Sequence, residues 1–82
     1  MNKERREALL EVADILDEAI NQIEEIKFEE EESFDALPEG LQMSSRGDSM
    51  QEAIDIMDGF MDSIAAINKD ITEYAKQKKK KK

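Results

Sequence analysis

The side chains in this chain that could do chemistry are carboxylates. Of 82 residues, 21 are Asp or Glu and 12 are Lys or Arg, and there is neither His nor Cys. Glu11-x-x-Asp14 and Glu52-x-x-Asp55 have the spacing with which all-helical, magnesium-dependent nucleotide pyrophosphohydrolases hold their metal. A di-iron bundle would need inward Glu together with an inward Glu-x-x-His, which a chain without His cannot build. Glu29 to Glu32 offer four adjacent carboxylates. Consecutive side chains on a helix point in different directions, whereas a calcium loop alternates its oxygen ligands around a required Gly. Without His the commonest general base and the commonest transition-metal ligand are both missing. Without Cys there is no disulfide and no thiolate site. No Gly-rich loop cradles a phosphate, and no nucleophile has a base beside it.

Whether the acid pairs could act depends on the elements that carry them. Met50, Ala53, Met57, Phe60, Ile64, Ile67, Ile71 and Tyr74 recur at alternating spacings of three and four, which predicts one long amphipathic helix. Leu9, Val12, Leu16, Ala19, Ile23 and Ile26 repeat the pattern near the N-terminus. Asn2 is a candidate N-cap there, with Glu4 and Glu7 where the helix dipole favours negative charge. With Leu9 and Met50 each taken as heptad position a, the acid pairs fall on outer positions. Chemistry between the helices is therefore excluded on this reading, and the chain is read as no enzyme, with no cofactor and no small-molecule substrate.

The expected domain is 1–77, with helix 1 at about 3–30, a connection at about 31–47 and helix 2 at about 48–76. The apolar run stops near Phe28, where FEEEES begins. Phe34, Leu37, Leu41 and Met43 are too many apolar residues for a solvated loop and are expected to close the end of the helix pair. Pro38 and Gly40 break the chain, with room for a short helical turn at Pro38–Gln42. Ser45 and Ser49 each head a capping-box pattern, and Ser49 with Glu52 is the better match. Arg46-Gly47-Asp48 spells an integrin-binding tripeptide, which arises readily by chance. Lys78 to Lys82 are expected to be disordered.

The expected fold is all-α: an antiparallel helical hairpin dimerising into a four-helix bundle. The core stripe would be Leu9, Val12, Leu16, Ile23, Ile26, Met57, Phe60, Ile64, Ile67 and Ile71. Leu10, Ile15, Ile20, Ile54, Ile56 and Met61 flank it as a second interface, wider than one partner helix covers. Two helices without staples supply about 3–5 kcal/mol at most, so a second copy of the chain or another protein is expected on those flanks.

Residues 1–77 carry 7 basic and 21 acidic side chains, a formal charge of −14. Such a body does not bind nucleic acid, because phosphate contacts need Lys and Arg. It either faces water or, through Asp55, Asp58 and Asp62 on the outer side of helix 2, contacts a basic partner. No segment is apolar enough for a signal peptide or a membrane span, and a cytoplasmic setting is expected.

Leu37–Asp58, LPEGLQMSSRGDSMQEAIDIMD, resembles small uncharacterised acidic helical proteins of Gram-positive gut bacteria and their phages or mobile elements. The likeness rests on the Leu-Pro-Glu-x-Leu-Gln connection, the Ser and Arg-Gly turn, and the acidic helix that follows. It implies a phage or prophage setting and carries no activity with it. Two functions follow as expectations: an oligomeric scaffold or protein-interaction module, and an acidic inhibitor that mimics nucleic acid.

Overall fold

The computed structural model describes residues 1–76. Three helices follow one another, α1 (Lys3–Asp35), α2 (Glu39–Gln42) and α3 (Ser45–Lys76). α1 and α3 pack against each other as the arms of a hairpin, and α2 is a single turn laid against α3 at the corner. The result is a thin slab, 62 × 19 × 11 Å. The expected all-helical hairpin is the fold, whereas the lysine run Lys78–Lys82 lies outside the described residues.

α1 begins where the sequence predicts. Asn2 is extended, and its side-chain oxygen accepts the Arg5 N–H at 2.8 Å, satisfying one of the donors a helix start leaves free. The helix ends later than expected, at Asp35 instead of about residue 30. Glu is a good helix former, and each like-charged neighbour costs only a few tenths of a kcal/mol. Two gains offset that repulsion. Phe34 in the last turn is half-buried, and the Gln42 side-chain amide donates to the carbonyls of Phe34 (3.1 Å) and Leu37 (3.2 Å).

The connection is correspondingly short. Pro38 stands before α2, and its carbonyl accepts from both Leu41 and Gln42. Phe34 and Leu37 turn inward as expected, but Leu41 and Met43 do not, and Met43 is the most exposed large apolar residue of the chain. At the corner it is the backbone of Gln42, in the one-turn α2, that lies against Gly47 of α3.

α3 starts at Ser45, so Ser49 lies inside the helix and does not cap it. The Ser44 carbonyl takes the first helical hydrogen bond, from Asp48 N–H at 2.9 Å, and Arg46-Gly47-Asp48 is thereby the first turn of a helix. Gly47 is buried. A Cβ there would sit 2.8 Å from Gln42 Cα and collide with the Gln42 carbonyl, so the corner closes only because position 47 has no side chain. Gly59, on the outer side of α3, has nothing within 4 Å of where its Cβ would be. The two glycines therefore differ in what replacement does. Gly47→Ala overpacks the corner and is expected to cost about 1–3 kcal/mol. Gly59→Ala is expected to stabilise by about 0.5–1 kcal/mol through helix propensity alone. Urea unfolding of the two variants checks this by the opposite signs of their midpoint shifts.

Candidate functional site

Burial along the two long helices shows which residues face each other. In α3 the inner row is Gly47, Met50, Ile54, Met57, Met61, Ile64, Asn68, Ile71 and Ala75, all buried or half-buried, with Ala53, Asp58 and Thr72 half-buried at its edges. In α1 it is Leu9, Ala13, Leu16, Ile20, Ile23, Lys27, Glu30 and Phe34, with Arg6, Leu10, Ala19 and Glu31 half-buried beside it. Both rows step by three and four, but they use heptad positions a and e where the sequence predicts a and d. Of the expected stripe, Leu9, Leu16, Ile23, Met57, Ile64 and Ile71 lie inside; Val12, Ile26, Phe60 and Ile67 are exposed. Of the expected flanks, Ile20, Ile54 and Met61 lie inside, Leu10 is half-buried beside them, and Ile15 and Ile56 are exposed.

The physical reason is polar. Asn68, at an e position of α3, donates across the pair to the Ala13 carbonyl (2.7 Å) and to the Asp17 carboxylate (3.0 Å), and accepts the Thr72 hydroxyl at 3.2 Å. Lys27, at an e position of α1, reaches Asp58 of α3 at 2.8 Å and Glu31 of its own helix at 3.8 Å. Asp17, Glu31, Asp58 and Thr72 are all b positions. The Lys27 stem is mostly covered by α3, its side chain 22% exposed, which places aliphatic carbon in the seam and the ammonium at its edge. The hydrogen bond to Asp58, reinforced by the charges of Asp58 and Glu31, holds the Lys27 ammonium above the ordinary lysine value.

The antiparallel arms give the hairpin two unlike sides. Positions b flank the inner row on one side of both helices, and positions d flank it on the other. Among the described residues, the ion pair and the side-chain hydrogen bonds that join α1 to α3 lie in the seam or on its b side. The d side carries Val12, Ala19, Ile26, Ala53, Phe60, Ile67 and Tyr74, with Ile15 and Ile56 at its margins. Ile15, Ile26, Phe60, Ile67 and Tyr74 are 52–66% exposed. Single exposed apolar residues are ordinary, but a contiguous row along one face marks an interaction surface. That row is the candidate site.

Comparison of the chain with protein-family models, with curated proteins and with solved structures finds no match. The site therefore speaks through its geometry alone.

The acids assigned to a contact face differ in their surroundings. Asp55 and Asp62 are exposed, while Asp58 is partly covered and bound to Lys27. Glu11, Asp14, Glu52 and Asp55, the pairs with metal-holding spacing, are exposed on the outer faces. Among the described residues no three carboxylates come together as a metal site. No described helix is long and apolar enough to cross a membrane.

Two consequences of the polar seam are measurable. Sliding one helix by a heptad would separate both Asn68 from Asp17 and Lys27 from Asp58, so these contacts fix register, as a single polar core residue does in coiled coils. Asn68→Leu is expected to keep or raise the melting temperature while broadening or doubling amide signals in an NMR spectrum, as alternative registers become populated. Lys27 gains its partner on folding, so its raised value adds stability that is complete below the unfolded lysine value of about 10.4. That contribution is lost as pH climbs through the higher folded value. The melting temperature of the native chain should therefore exceed that of Lys27→Met near neutrality, and the gap should close in strongly alkaline buffer.

Proposed function

We propose that this protein is a non-catalytic, oligomeric interaction module that uses the apolar d side of its hairpin to assemble. One observation carries the reading: a continuous apolar row remains exposed on one side after the two helices have satisfied each other's polar groups on the other. Among the described residues of the single hairpin, Ala13, Ile54 and Ala75 are the buried apolar side chains, and no large side chain is fully enclosed. A core of that size is thin for a chain of 82 residues, and association is one way in which small domains complete their cores. The four-helix bundle is the simplest completion, because a second hairpin offers the same row. A phage or prophage setting, implied by the likeness of Leu37–Asp58, is compatible with a small scaffold of the cytoplasm.

The alternative, inhibition of a nucleic-acid-binding protein by charge mimicry, draws on the outer acids, including Glu25, Glu32, Glu52, Asp55 and Asp62, all exposed. The two readings use opposite surfaces and so separate cleanly. Sedimentation equilibrium is expected to return twice the 9.4 kDa chain mass. Ile67→Asp places a charge in the middle of the row and should weaken assembly by about 100-fold, the equivalent of about 3 kcal/mol. Asp55→Lys with Asp62→Lys should leave it unchanged. A native chain that sediments as a monomer at tens of micromolar, while capturing a basic DNA- or RNA-binding protein in a salt-sensitive manner, would replace the scaffold reading with the mimic.

A further inference from the structure

The same row also determines how a second copy would lie. Asn68 is level with Ala13 and Asp17, and Asp58 with Lys27. Extending that pairing puts Tyr74 level with Val12, Ile67 level with Ala19, and Phe60 level with Ile26. The apolar side is thus a ladder of three rungs, with an aromatic ring in each outer rung and the small Ala19 in the middle one. Such a ladder is self-complementary when one copy is turned end over end about its middle rung.

Charge is divided along the same axis. Residues 20–63, the half that contains the corner, hold 13 acidic and 2 basic side chains. Residues 1–19 and 64–76, the open half, hold 8 acidic and 5 basic ones, and five further lysines follow in the sequence. Two copies placed corner to corner would set formal charges of −11 and −11 face to face. Placed head to tail, each −11 half meets a half of −3. At helix spacings near 10 Å, comparable to the Debye length in physiological salt, that difference is only partly screened. The slab is 62 by 19 Å across this face, so full overlap would cover roughly 1,000 Å² per copy, enough for a stable interface of about 800 Å² per partner.

We propose that the occupant of the apolar face is a second copy of this chain, lying face to face and head to tail. Its two-fold axis crosses both arms at the level of Ala19 and Ile67. This deepens the assembly reading above and rests on it. α3 then packs on the partner's α3 and α1 on the partner's α1. Ile67 meets the partner's Ile67, and Phe60 meets the partner's Tyr74. All neighbouring helices run antiparallel, which also pairs opposite ends of their dipoles.

The chain has no Cys, so single cysteines report the arrangement directly. Ile67→Cys should oxidise to a covalent dimer on the order of tenfold or more faster than Ala66→Cys, because docking raises the effective concentration of the facing thiol. A mixture of Phe60→Cys and Tyr74→Cys should give mainly the mixed dimer. In a corner-to-corner dimer α3 would face the partner's α1 instead. There Ile67→Cys would cross-link with Ala19→Cys and not with itself, and that result overturns the orientation while leaving assembly intact. Sedimentation of the uncross-linked native chain as a monomer overturns both. Because positions 19, 60, 67 and 74 are on the exposed side of the hairpin, circular dichroism of each variant before oxidation separates misfolding from misdocking.

Discussion

A pair of helices can cover only a narrow strip of each other, and in this chain that strip is narrower than the apolar surface both helices carry. Each long helix is apolar at three or four of its seven heptad positions, and the seam takes two. Which two is decided by the bonds of Asn68 across the hairpin and the ion pair of Lys27 with Asp58. Both groups would be costly to place in a dry interior unpaired. At the a/e seam each finds a partner at its edge, so the polar groups gather on one side and the leftover apolar groups on the other. The two-sided character of the slab follows from satisfying a handful of polar atoms.

This explains what the sequence shows and what it conceals. The all-helical hairpin, the Asn2 cap and the lengths of both apolar patterns are legible because periodicity and capping are local properties. The seam is not. Spacing of three and four fits the a/d row and the a/e row equally well. The a/d row is purely apolar in α3 apart from a Tyr hydroxyl, so hydrophobicity favours it. The true row contains Gly47, Lys27 and Asn68, each of which looks like a flaw until its partner across the hairpin is known. Those three residues are the signal that was available: a glycine, a lysine and an asparagine recurring in step with the apolar repeat. The late end of α1 escaped for a similar reason, since the Gln42 amide that satisfies its last carbonyls comes from beyond the breakers Pro38 and Gly40.

The candidate surface stands in the same relation to the sequence. The surplus of apolar residues is evident from composition and pattern, and with it the expectation of a further partner. Its membership is not, because a shift of the seam by one position exchanges Ile20, Ile54 and Met61 for Val12, Ile26, Phe60 and Ile67. Acidic clustering was the weaker guide. Carboxylates three apart are abundant in any helix this rich in Asp and Glu, and here they are spread on outer faces or, as with Asp58, engaged in holding the arms together.

The tight corner at Gly47 has a kinetic consequence. The residues nearest it are joined by the shortest loop, so their contacts cost the least chain entropy to form, and pairing of the arms should propagate from there toward the free ends. Thermal opening runs the other way. The arms part first at the open end, where α1 begins and α3 ends, and last where Phe34 and Gln42 are bonded, so the molecule behaves as a zipper whose stop lies at one end. Such a zipper is steadied best by something that grips its loose end.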